Sequence, residues 1–374
     1  MKKLAVGLGL VLATTWTSAY FVGKASPVEV LVNPVVVKPL RANPSLSRLP
    51  AGWQRVAAKF RPDRPADSLA EMLHHVENRT PVGAFDDGNR IREELADSFL
   101  KGRPHAKYPV ESSWLYRDQD GRPRIARYAV GEVEAHPSQI LATFAALDVP
   151  SNRVVRSGTT SATLAELIEA LRDDFNLDGE VEWKTMALLR YAPTRQSWVN
   201  RWGRSFDFDQ VAAMLLQLAA GEGSCHGTHV LQTLAVLLRV DATVPVVSPN
   251  TREMIRRYLL DVVGRLEAGQ RPTGYWAPDW ATPHPNRDDY RVDSTLFPRY
   301  RLAMVSGHHL EWLDLLDGDI SIDATHREAA VRWCIQELNR VTPDEIRQHF
   351  CPYSHCFRVA TRNADAAMWD ERVD

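Results

Sequence analysis

The chain has 374 residues, 44% hydrophobic and 25% charged, which supplies a large core and excludes global disorder. A formal charge of −2, with acidic and basic residues mixed along the sequence, leaves no basic face for nucleic acid. Four cysteines are too few for a fold built on a disulfide framework.

The N-terminus carries Lys2 and Lys3 and then an apolar run from Leu4 to about Val22, the pattern of an export segment. The run nears the length that spans a bilayer, about 20 residues. Residues 1–25 are therefore expected to be an uncleaved signal anchor, or a signal peptide if cut after Ala19 or Ala25. The flanking lysines would stay cytoplasmic, so the rest of the chain would be membrane-anchored on the extracytoplasmic side, or periplasmic or secreted after cleavage. Residues 26–50 place a proline every five to seven positions, which removes backbone donors and disfavours helix. This segment is expected to be an extended tether.

From Ala51 to Asp374 the pattern is mostly helical. "ADSLAEMLHHV" and "GNRIREELADSFL" repeat apolar residues at three- and four-residue spacing. "SSWLYRDQDGRPRIARYAV" reads as a β-hairpin turning at Asp118–Gly121. Helices follow in "HPSQILATFAALDVP", "SATLAELIEALRDDF" (with the Thr163/Glu166 capping-box spacing), "VEWKTMALLRYAP", "DFDQVAAMLLQLA", "GTHVLQTLAVLLRV" and "SPNTREMIRRYLLDVVGRLEAG". After an irregular stretch at 270–304 come "SGHHLEWLDLLD", "ATHREAAVRWCIQELNRV" and "TPDEIRQHF". About eleven helices with short connections pack as a bundle, a solenoid or a closed ring of hairpins, and no clean repeat favours a regular solenoid.

In "QRPTGYWAPDW", Gln270, Gly274 and Trp276 resemble the Q-x3-G-x-W element of the terpenoid-cyclase and protein-prenyltransferase toroids. "GHHLEWLDLL" is similar to a helix start in the sugar 2-epimerases, and "CHG" at 225–227 is similar to the zinc-binding Cys-His-Gly of lanthionine cyclases. "C-x-GTH-x-L" with "GHxLEW" also resembles an uncharacterised family of exported bacterial proteins, over roughly residues 130–320. These resemblances imply an α/α toroid, a ring of helical hairpins around a cavity, with a small β-hairpin near its N-terminal side. In the toroid likeness the Gln-Gly-Trp element ties hairpins together. There are departures. No DxDD acid is present, so Asp288–Asp289 reads as a polar loop. The cysteine that lanthionine cyclases need upstream is missing, since the other thiols lie at 334, 351 and 356.

Cys225, His229 and Gln232 fall at i, i+4 and i+7 on an otherwise apolar helix and form one polar stripe, with Thr228 and Thr233 beside it and His226 nearby. His308 and Glu311, expected in the first turns of their helix, stand at i, i+3. Near a helix N-terminus the dipole favours neutral imidazole, which can take a proton. The expected catalytic residues are thus His229, His308 and Glu311, with Glu311 orienting His308 or serving as an acid. Cys225, His226, Gln232, Trp280 and His136 are the expected substrate contacts. The alternative for every one of them is a buried structural role. "CPYSHC" at 351–356 reads as a local disulfide, two plain thiols or half of a zinc site.

Three functions remain open on this reading. One is an exported enzyme using histidine acid/base chemistry on a carbohydrate or cell-envelope substrate. Another is a non-catalytic binding or scaffold module of the same fold. The third is a zinc-dependent lanthionine-cyclase-like protein, with Cys225 and His229 as ligands and the others from elsewhere. The first two need no cofactor, and a small molecule or glycan is the expected ligand.

Overall fold

Helix starts follow local side-chain chemistry. Thr163 and Thr342 each accept from the backbone N–H three residues on, while Glu166 and Glu345 reach back to the cap N–H. Asp207, Ser248 and Asp323 cap three further helices through their side-chain oxygens.

The computed structural model describes residues 29–39, 50–60, 73, 74, 77, 114–126, 136–282, 297–316, 318–363 and 365–370. In chain order the elements are α1 (Ala51–Lys59), the hairpin β1 (Leu115–Arg117) and β2 (Pro123–Ile125), and α2 (Gln139–Ala146). Next come β3 (Val154–Ser157), β4 (Thr160–Thr163), α3 (Leu164–Asp173), α4 (Val181–Tyr191), β5 (Trp198–Val199) and β6 (Ser205–Phe206). The rest is α5 (Phe208–Gln217), α6 (Thr228–Asp241), α7 (Pro249–Gly269), α8 (Arg299–Leu313), α9 (Ala324–Arg340), α10 (Pro343–Gln348), α11 (Phe350–Asn363) and α12 (Ala366–Asp370). His74 and Glu77 also lie in a helix. The protein is mostly α, with three two-stranded antiparallel hairpins among the described residues.

Two kinds of helix are distinguished by burial. Helices α4, α6, α8 and α11 are buried on nearly all sides, whereas α7 and α9 bury one stripe and expose the rest. The buried helices pack in succession, α2 on α4, α4 on α6, α6 on α8 and α8 on α11. Outside them, α3 covers α4, α5 and α7 cover α6, and α9 covers α8 and α11. Glu77 accepts hydrogen bonds from Thr143 of α2 at 2.9 Å and Arg358 of α11 at 2.9 Å, joining the first and last members of the row.

The Q-x3-G-x-W element clamps α7, α8 and α9. Gln270 Nε2 donates to Gly274 O and His326 O, and Trp276 Nε1 donates to Leu266 O. The Trp276 N–H donates to Ser306 Oγ of α8. Gly274, at φ +103°, lies so close to Ala329 O that a Cβ would stand 2.3 Å from it.

Several expectations change. The tandem histidines lie in the middle of α8, because that helix begins at Arg299 rather than near Ser306. Gly307 is a helical position where α8 and α11 approach closely; a Cβ there would sit 2.7 Å from His355 Cβ. Helix α6 begins at Thr228, so Cys225 precedes it. Cys351 and Cys356 are free thiols on α11, with Cys356 turned inward to donate to Ala303 O. Two hairpins, β3–β4 and β5–β6, join the expected one; their strands of two to four residues are too short to show alternation.

The described part of the proline-spaced segment, residues 29–39, has no helix or strand, and it lies on the domain over 31–37. Leu31 and Val35 donate backbone hydrogen bonds to Tyr191 O and Arg190 O, and Val37 is buried. Residues 1–25, the "GNRIREELADSFL" stretch and Asp288–Asp289 lie outside the described residues. Among the described residues no helix is long and apolar enough to cross a membrane.

Candidate functional site

The turn before α6 is unusual in its backbone. Cys225 (φ 49°), His226 (φ 59°) and Gly227 (φ 78°) are consecutive left-handed residues, and the two non-glycines each cost about 1–2 kcal/mol. The turn is held by Thr228 Oγ1 donating to Cys225 O at 2.8 Å and by Trp280 Nε1 donating to His226 O at 3.1 Å. A Cβ on Gly227 would come within 2.9 Å of Glu222 O, so only glycine fits. This turn sets the Cys225 thiol 4.0 Å from His136 Nε2, at the head of α6. Such strain is characteristic of functional sites.

From there a row of imidazoles crosses the interior. Ring centroids are 4.6 Å apart for His136–His229, 4.8 Å for His229–His308, 3.6 Å for His308–His355 and 5.3 Å for His355–His74. Carboxylates fix most of the tautomers. His136 Nδ1 meets Glu180 Oε2 at 2.7 Å, His355 Nδ1 meets Glu311 Oε2 at 2.9 Å, and His308 Nδ1 meets the same oxygen at 3.3 Å. His74 Nδ1 meets Glu77 Oε2 at 3.1 Å. An ionised carboxylate only accepts, so each Nδ1 carries the proton and donates it. In the neutral ring Nε2 is then a lone pair. Nε2 of His74 and His308, and Nδ1 of His229, are buried with no hydrogen-bond partner among the described residues.

Charge is arranged around Arg358. Its guanidinium donates to Glu311 at 2.7 Å and to Glu77 at 2.9 Å, all three deeply placed. Burial alone would raise the Glu311 carboxyl, but Arg358 and the facing histidines hold it well below the usual carboxylate range. Burial lowers His229 well below its ordinary value, lowers His308, and takes His355 down to about 3. Burial pushes the Cys225 thiol up to about 12. Glu311 is therefore ionised and the histidines beside it are neutral. The His308 imidazole owes its neutrality to burial, because its mid-helix position removes the expected dipole effect.

One side of this row opens on a cavity of about 510 Å³. His74, His136, His229, Glu311, Cys351 and His355 line it, and Val36–Pro39 form part of its wall. It also holds cationic side chains. Arg190 is buried, lined up on the cavity, and its Nε and Nη1 have no partner among the described residues. Burial without a facing carboxylate lowers Arg190 to about 10. Arg362 Nε is likewise buried and unpartnered among the described residues. A buried guanidinium nitrogen without a partner is costly, and Arg190 could pair with an anion that enters the cavity.

The structure brings together His136, Cys225, His229, Gln232, His308 and Glu311, of which His136, His229, Gln232 and Glu311 line the cavity. His226 and Trp280 do not line it. Trp280 is 2% exposed and braces the left-handed turn, with its ring edge-on to His309 at 4.6 Å. Cys351, His355, His74, Glu77, Arg358 and Arg190 belong to the same cavity and were not expected there. The signals were present as the i, i+4 pair Cys351/His355 and the i, i+3 pair His74/Glu77. Side-chain ligand atoms also converge within 4.8 Å of one another in three groups: His74–Cys351–His355, His136–Cys225–His229 and His308–Glu311–His355. Comparison with protein-family models, curated proteins and solved structures finds no match to this chain.

Proposed function

We propose that the chain is an α/α-toroid enzyme that uses histidine acid/base chemistry in its central cavity on an anionic carbohydrate or cell-envelope substrate. The ring reading is supported by the succession α2–α4–α6–α8–α11 and by Glu77 bonding to both of its ends. The export pattern of residues 1–25 supports a substrate in the envelope.

The observation that carries the enzymatic reading is the convergence of His229, His308 and Glu311 beside one cavity. His229 and His308 are neutral rings in contact; His229 lines the cavity and can accept a proton from a bound hydroxyl or C–H acid, with His308 behind it as the next acceptor. Glu311 acts by orientation. Arg358 keeps it ionised, so it fixes the Nδ1–H tautomers of His308 and His355 rather than donating a proton itself. Arg190 supplies the anion contact, which favours a uronic acid, an N-acyl muramic acid or a sugar phosphate over a neutral glycan.

The test is product mass spectrometry on a panel of acidic envelope saccharides, with wild type, His308→Gln and His229→Gln. Conversion by wild type, reduced 10²-fold or more in either folded variant, is the expected result for lost proton transfer. Unchanged conversion in both variants would sink the acid/base reading. Tight binding without conversion would favour the binding-module alternative.

A second reading has one observation in its favour. His136 provides the third ligand that Cys225 and His229 need for zinc, while His226 of the lanthionine-cyclase-like motif stands outside the group. Zinc content lost in Cys225→Ser would support it.

A further inference from the structure

We propose that His74, Cys351 and His355 form a Zn²⁺ site whose fourth position opens into the cavity. The three residues come from two separated parts of the chain, a helix near residue 74 and the first turns of α11. Their ligand atoms lie within 4.8 Å of one another. Cys351 Sγ is 3.5 Å from His355 Nε2. A tetrahedral zinc with ordinary bond lengths sets sulfur and nitrogen about 3.5 Å apart, so this edge is already at the bound separation.

The outer contacts are those of ligating histidines. His355 donates through Nδ1 to Glu311 and His74 through Nδ1 to Glu77, which directs both Nε2 atoms inward and raises their basicity. His74 Nε2 is buried and has no hydrogen-bond partner among the described residues. The Cys351 thiol interacts with this imidazole, so a bound metal would replace the proton that the pair shares. Arg358 bonds both outer carboxylates and fixes their positions. The thiolate and the two carboxylates, offset by one guanidinium, leave two negative charges to meet the dication.

Two histidines and one cysteine suit zinc, and three protein ligands with an open position are the pattern of a catalytic rather than a structural ion. All three ligands line the cavity, so the open position faces the space where Arg190 waits for an anion. A water bound there would be acidified and delivered inside the cavity. This inference uses the same cavity as the acid/base reading but does not depend on His229 or His308 as bases.

The test uses the full-length chain stripped by chelator and reloaded with Co²⁺. In a Cys225→Ala background, which removes the thiol of the neighbouring His136–Cys225–His229 group, one equivalent of cobalt should bind with a near-ultraviolet thiolate charge-transfer band. Adding Cys351→Ala should abolish the band and lower affinity by at least about 100-fold, while Glu77→Gln should weaken it about 10–100-fold. Zn²⁺ should also slow iodoacetamide alkylation of Cys351 in wild type at least about tenfold, because metal-bound thiolate is shielded. The alkylation readout remains if a variant fails to fold. Absence of the band in the Cys225→Ala background, or equal alkylation with and without Zn²⁺, overturns the site. Neither readout involves turnover, so failure here is distinct from failure of the enzymatic reading.

Discussion

At the scale of single residues, adjacent histidines have opposite fates. His308 joins the imidazole row, while His309, rotated by about 100° on the same helix, enters a tryptophan shell. Trp312 Nε1 donates to His309 Nδ1 at 3.0 Å, and Trp276 and Trp280 meet its ring edge-on. Burial, and then the neighbouring His308, lowers His309 well below its ordinary value. An unfolded histidine takes a proton below about pH 6.5 that the folded His309 refuses. Stability is therefore complete above that pH and falls as pH drops, by up to about 1.4 kcal/mol per unit for this one group. His309→Gln keeps an acceptor for Trp312 and removes the titration, so its urea midpoints between pH 7.5 and 5 should fall less steeply than wild type. Parallel acid limbs would refute this. The sequence "GHH" displays both histidines equally, and only the facing helices decide which one joins the imidazole row.

At the scale of elements, starts governed by local chemistry were legible and starts governed by packing were not. The capping boxes at Thr163 and Thr342 are readable because the cap and its partner lie within one turn. The beginning of α8 is not, since Gly307 looks like a boundary but is dictated by the closeness of α11. Gln270, Gly274 and Trp276 stand out in the sequence, and the hydrogen bonds of their stretch join α7, α8 and α9. Gly274→Ala would force a Cβ against Ala329 O, which cannot move without α9. We expect a loss of about 3 kcal/mol or more, from overpacking plus a left-handed alanine. Calorimetry should show a drop in Tm of several degrees; an unchanged Tm would mean that the clamp is not rigid.

At the scale of the molecule, the site is assembled from elements too far apart in sequence for any local pattern to reveal. His136, His229, His308 and Glu311 were legible as polar residues near or within apolar helices. His74, Cys351 and His355 were harder to read, because their meaning depends on one helix meeting another some 280 positions away. Arg358 is the joint of that meeting. Replacing it by Met would leave Glu77 and Glu311 buried without their cation, and should cost about 3–5 kcal/mol in urea unfolding. A cost below about 1 kcal/mol would show that the two carboxylates are relieved in another way. The proline-spaced segment gives the last consequence. Among the described residues the Leu31 bond to Tyr191 fixes it on the domain, six residues beyond residue 25, and six extended residues reach about 20 Å at most. Should residues 1–25 lie in a bilayer, the segment acts as a short leash. The cavity wall at Val36–Pro39 would then be held near the lipid headgroups, where diffusion in two dimensions delivers what the cavity meets.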